Sequence, residues 1–313
     1  MADLLLMGVR FALFANLMLI AGLAAFSLYA LGPDERTSGV GALFGRPQFG
    51  LCVSGLILSF AGMAVLTASM QGVGVFAIDP EMFLTMVRET DVGTAWLVRM
   101  FALLVAGAAS FWLGRNPVAA ASVLSVAGSA GLATLVWSGH AGASEGIVGT
   151  VHRANDAIHM IAAAVWFGAI AAFLLLLRPG DPPGTERVAL AARSLDQFAR
   201  VGTLCVLVIA ATGLVNSQII IGVENVGRSI VSPYGQLLVA KLILFAAMLA
   251  LAGVNRWRLT PALQASIASP DEIGADSSLA VSAMRRSLVL EASAGLAILA
   301  LVAWFGTLEP FAD

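Results

Sequence analysis

Apolar residues run along this chain in eight long blocks separated by short polar or charged segments. Roughly 20 consecutive apolar residues in a helix cross a bilayer core of roughly 30 Å. The blocks predict spans at about Leu4–Leu31, Phe49–Met70, Asp91–Leu113, Pro117–Trp137, Arg153–Leu177, Phe198–Gly222, Tyr234–Val254 and Ser287–Leu308. The first block is longer than the roughly 7–15 apolar residues of a signal peptide, so it reads as a span. The expectation is an all-α polytopic membrane protein: one bundle of eight transmembrane helices, a single domain over residues 1–313.

Composition agrees and excludes much else. Of 313 residues, 59% are hydrophobic and 12% charged, about half the charge of a soluble domain, and the mean hydropathy is +0.91. A net charge of −2 with no basic block gives nucleic acid nothing to bind. The loops after the first, third, fifth and seventh spans, with the span ends that adjoin them, hold Arg36, Arg46, Arg115, Arg178, Arg187, Arg193, Arg200, Arg256, Arg258, Arg285 and Arg286. The other side has only Arg88, Arg153 and Arg228. Positive residues stay on the cytoplasmic side, so both termini are expected to face the periplasm. Arg10, Arg99 and Lys241 lie within spans, where Asp91, Asp156 and Glu309 are candidate partners in structural locks.

Two loops have room for local structure. Residues 178–197 read as a turn at Pro179, Pro182 and Pro183 followed by a short cytoplasmic helix, and residues 257–286 as a loop containing Arg258-Leu259-Thr260-Pro261 and an acidic, Ser-rich stretch. On the opposite side, Asp79–Thr90 reads as a short interfacial helix.

All three histidines fall within twenty residues of one another: His140, His152 and His159. His152, Asp156 and His159 are spaced i, i+4, i+7, which aligns two imidazoles and a carboxylate on one helical face. His140 sits in a Gly-rich segment able to fold back toward them. Imidazole and carboxylate suit copper, zinc or nickel, so His140, His152, Asp156 and His159 are the candidate metal ligands. Asp156 either ligates directly or orients a histidine. Met70, Met82 and Met86 could add thioethers but read first as packing residues. Cys52 and Cys205, at the cytoplasmic ends of their spans, could serve a soft inner exit or simply be small buried residues.

The later part of the chain has further marks: His159 through Trp166-Phe167-Gly168, Gly213-Leu214-Val215-Asn216-Ser217, Tyr234-Gly235, Lys241-Leu242, Asn255-Arg256, Arg258-Leu259-Thr260-Pro261, Arg286-Ser287, Glu291 and Gly306-Thr307-Leu308-Glu309-Pro310. In order and spacing these resemble the CopD (PcoD) copper-resistance family of inner-membrane proteins, most strongly over residues 138–310. The resemblance implies copper transport across the cytoplasmic membrane, inward, with a separate periplasmic copper-binding partner of the CopC type. It supplies no ligand list. No P-loop occurs in the chain, so nucleotide-driven transport and enzymatic activity are not expected. Two other readings stand: a b-type cytochrome or quinone-linked redox protein, with His159 the one histidine clearly inside a span, and a copper holder that transports nothing.

Overall fold

The computed structural model describes residues 2–138, 146–178, 185–268, 275–306 and 308. Among these the secondary structure is helical, without strands. The helices are α1 (Ala2–Ala30), α2 (Pro33–Thr37), α3 (Gly39–Gln71), α4 (Pro80–Glu89), α5 (Asp91–Ser110), α6 (Pro117–Ala133), α7 (Gly146–Leu176), α8 (Thr185–Ile220), α9 (Val226–Val231), α10 (Pro233–Val254), α11 (Thr260–Ala268) and α12 (Ala275–Phe305). Eight helices, some continuing into a following segment, are long and apolar enough to span a membrane. His140, the Pro179–Pro183 turn and Glu309 lie outside the described residues.

Local chemistry sets the re-entry points. Asn116 and Ser232 cap α6 and α10 by accepting from the Ala119 and Gly235 N–H groups, each followed by a proline in the first turn. Thr90 caps α5 through the Gly93 N–H. The interfacial helix is present as α4, capped by Asp79 with Pro80 in its first turn. Gly72 closes α3 at φ 68°, a left-handed conformation that favours glycine.

Several helices outrun the hydropathy pattern. The segment expected as a separate cytoplasmic helix is continuous with its span in α8, because Glu186–Phe198 contains neither Gly nor Pro. The same holds at the start of α12. The Arg258–Pro261 region is helical too: α10 passes through a π-helical turn, Asn255–Leu259, into α11. Pro261 has no N–H for the Trp257 carbonyl and its ring crowds that position. A π turn is one way a helix absorbs such a defect. With α3 and α8 extended, Cys52 and Cys205 lie well inside their helices rather than at the ends, and each is buried in a different apolar cluster.

The bundle is organised around α1. In its most apolar stretch 61% of residues are buried, against 11% for α8 and 6% for α10, which therefore stand at the lipid-facing periphery. α1 packs on α3, α6, α7 and α12. Its crossing with α7 is a backbone contact: a Cβ on Gly168 would sit 2.3 Å from the Gly22 Cα, and one on Gly22 would sit 2.1 Å from the Ala164 oxygen. Gly128 of α6 meets the Ala21 nitrogen in the same way, at 2.9 Å. Small residues at such crossings let membrane helices gain dispersion contacts that lipid cannot match. Two large apolar clusters flank the crossing, one around Phe26, Phe173 and Leu176, the other around Leu17, Leu103 and Leu124.

Charged residues also tie the spans. Arg10 donates to the Gly306 oxygen at 3.4 Å, which places the beginning of α1 beside the end of α12. At the arginine-rich end, Arg193 of α8 binds both carboxylate oxygens of Glu35 at 2.8 and 2.7 Å. Partial burial alone would raise the Glu35 carboxyl. Hydrogen bonds from Arg193 and the Gly32 N–H, with the nearby Arg193 and Arg36 charges, outweigh it and hold the group below its ordinary value. Arg99 corrects the expectation of an acidic partner: it is buried and donates to the Ser59 and Thr134 hydroxyls at 2.8 and 3.0 Å. Of the methionines, Met86 packs with Met63 and Trp96, whereas Met70 and Met82 are exposed.

The α1–α7 crossing gives a direct test. Gly168→Val should separate the helices and cost at least roughly 1–3 kcal/mol, as overpacking does. The expected outcome is a lower melting temperature in detergent by size-exclusion assay, with no such loss for Gly50→Ala, where a Cβ meets open space.

Candidate metal site

His152, Asp156 and His159 all lie on α7, at the end of the bundle opposite the Glu35–Arg193 pair. The structure does not give them one environment. His152, near the start of the helix, is 2% exposed, while Asp156 and His159 are half-buried and face α8. The rise of 1.5 Å per residue sets His152 and His159 roughly 10 Å apart along the axis. Among the described residues no three His, Cys, Asp or Glu side chains converge on one metal position. His140 is outside that set.

What α7 and α8 do share is a polar network inside an otherwise apolar interface. Asn155 donates to the Thr212 carbonyl at 2.9 Å and to Asn216 Oδ1 at 2.8 Å, and Asn216 Nδ2 donates to Asp156 Oδ1 at 3.1 Å. Thr212 and Asn216 are i, i+4 on α8, so both point at the same stretch of α7. Lys241 of α10 lies within electrostatic range of both Asp156 and His159, and Tyr234 within that of Asp156. The Asp156 charge therefore offsets that of Lys241.

The histidine tautomer follows from one hydroxyl. Thr212 Oγ1 donates its single hydrogen to the Val208 carbonyl at 2.5 Å, as threonines inside helices commonly do. It can then only accept from His159, whose Nδ1 lies 2.8 Å away. This arrangement favours the neutral tautomer with the proton on Nδ1 and the lone pair on Nε2. A histidine held through one nitrogen with the other unprotonated is a ligand prepared for a metal. Gly213 of α8 lies directly against this ring: the nearest atom to a Cβ placed there would be His159 Cε1, at 3.7 Å, an ordinary contact.

Asp156 and His159 are thus brought into one network with α8, with His152 one turn before Asp156 on the same helix. Sequence reasoning missed Asn155 and Thr212. Thr212 lies one turn before Asn216, and that spacing was the available signal.

Two family models match the chain: "Copper resistance protein D-like, N-terminal domain" over residues 1–150 and "Copper resistance protein D" over residues 192–305. Copper resistance protein D of Pseudomonas syringae pv. tomato is 37% identical over 310 residues, covering 99% of this chain and 98% of that protein. The chain belongs to the copper resistance protein D family. Inner membrane protein YebZ of Escherichia coli (strain K12) is 28% identical over 302 residues, 96% of this chain and 97% of that one. No solved structure matches. Membership and the eight apolar helices make this a multi-pass inner-membrane protein with a role in copper resistance or transport.

The Thr212–His159 hydrogen bond predicts a measurable tautomer bias. In ¹⁵N NMR of histidine-labelled protein, His159 should be protonated at Nδ1. Thr212→Val should erase the preference, a change of about 1 kcal/mol or roughly fivefold in tautomer ratio, and Thr212→Ser should restore it.

Proposed function

We propose that this protein is a copper permease that carries copper from the periplasm into the cytoplasm as one domain of eight spans, without enzymatic chemistry. Its termini face the periplasm, and so does the mouth formed before α7. Copper is collected there by His140 and His152 and handed to His159, one level deeper, with Asp156 assisting. A separate periplasmic copper-binding protein of the CopC type supplies the metal.

The observation that carries this reading is the His159 site: an imidazole held at Nδ1 by Thr212 and in one network with Asp156, in a chain of a copper-resistance family. The distance between the two helical histidines favours successive stops over a single three-ligand cage. Successive weak stops also suit transport, because an ion must leave each position as readily as it enters. The arginine distribution supports the orientation. Arg10–Gly306 agrees with termini on one side.

The test is copper entry into sealed proteoliposomes. The wild-type protein should show saturable uptake, and His152→Ala with His159→Ala should lower it at least tenfold while the protein remains monodisperse. Unchanged uptake in the double variant would remove these ligands. Stoichiometric binding with no flux in the wild type would make the protein a holder, and a Soret band would make it a cytochrome. A periplasm-active reporter fused after Asp313 should be active in cells, and silence there with activity of a cytoplasmic reporter would invert the topology.

A further inference from the structure

The face of α7 that carries His152 and His159 continues at the same seven-residue spacing to Trp166 and Phe173. Both of these line a cavity of about 200 Å³ toward the arginine-rich end. The cavity lies where α8 leans on α7 and α10 leans on α12, and its wall includes the π-helical turn and Glu291 of α12.

Glu291 is 2% exposed and lies inside a span. Its Oε1 accepts from Trp166 Nε1 at 2.8 Å and its Oε2 from Asn255 Nδ2 at 2.9 Å. Both donors are neutral. A carboxylate offers about four acceptor positions, so these two bonds leave acceptor capacity and the whole negative charge uncompensated. Asn255, 6% exposed and also on the cavity wall, has its Oδ1 buried with no partner. Ser287, one turn before Glu291, is buried with its hydroxyl unpartnered as well.

The other charged group on the wall is Arg256, from the π turn. Its Nη1 donates to Thr203 at 3.2 Å and its guanidinium lies over the Trp257 ring, 6.0 Å from the centroid. α7, α8 and α11 contribute no charged side chain to the wall. Asp156 and Lys241, and Arg10 of α1, belong to the opposite end of the bundle.

We propose that Glu291 and Asn255 form a binding site for a small hard monovalent cation, a proton or sodium, distinct from the copper ligands. The donors available are carboxylate and amide oxygens, which suit hard cations, whereas copper in its soft state prefers thiolate, thioether or imidazole. A buried carboxylate inside a span is costly unless one positive charge joins it. The π turn presents Asn255 to Glu291, a placement in keeping with π-bulges at functional positions. As an energy source for transport, the site rests on the permease reading. The binding itself does not.

The experiment is infrared difference spectroscopy of the full-length protein in sodium-free nanodiscs, wild type against Glu291→Gln, across a pH series. A second series adds sodium chloride, with choline chloride as control. The expected result is a protonated-carboxyl band in the wild type that is missing in Glu291→Gln. It converts to the carboxylate with rising pH if the ligand is a proton, and on adding sodium but not choline if it is sodium. Asn255→Leu, which keeps the carboxylate, should displace the midpoint of that conversion. Spectra in which Glu291 changes state with neither pH nor sodium would overturn the proposal. Copper binding is measured on the same samples. Copper bound without a Glu291 response removes the cation site alone, and a Glu291 response without copper removes the copper reading alone.

Discussion

The contact on which the rest of the structure depends is the crossing of α1 and α7 at Gly22 and Gly168. In lipid no hydrophobic force draws helices together, so association rests on how closely their surfaces fit. Two glycines facing one another bring the backbones into contact. That approach lets the apolar clusters on both sides of the crossing close over Phe26, Phe173, Leu17 and Leu124. It also fixes α7 in rotation, and α7 carries both the metal-ligand candidates and the tryptophan that reaches Glu291.

With α7 held, its one polar stripe is read by different neighbours at different depths. Near one end α8 supplies Thr212 and Asn216, which fix His159 and Asp156. Two turns further along, Trp166 turns to Glu291 of α12 and Asn255 of the π turn. Polar atoms in the bilayer seek partners within the protein; the groups named here find them helix by helix, with Asn255 Oδ1 and the Ser287 hydroxyl left over. Arg99 follows the same rule on another surface, satisfied by two hydroxyls where charge pairing was expected. A guanidinium needs acceptors in the right geometry, and Ser59 and Thr134 provide them without a second buried charge. The peripheral α8 and α10 leave a cavity between them, which a tightly wrapped pair would have filled.

Span number and helical class were legible because a bilayer imposes length and apolarity on every crossing, and both are local properties. The caps at Asn116 and Ser232, each followed by proline, are local features too, though they were identified only in the structure. The candidate site was half legible: spacing alone put His152, Asp156 and His159 on one face. Spacing does not give partners on other helices, so Thr212, whose hydroxyl holds the His159 Nδ1, was missed. Helix ends were misjudged where amphipathic segments continued a span. Hydropathy falls at the membrane surface, while backbone hydrogen bonding continues until Gly, Pro or a cap interrupts it.

By itself, then, the order of residues determined that this chain has eight segments able to cross a membrane and which end carries its arginines. Those properties follow from solvation of each segment taken singly. Only the tertiary structure decided that Thr212 hands His159 a defined tautomer, that Arg99 rests on hydroxyls, and that Glu291 meets Trp166 and Asn255 across 125 and 36 residues of chain. These are agreements between helices distant in sequence, set by which surfaces can approach closely enough to pack.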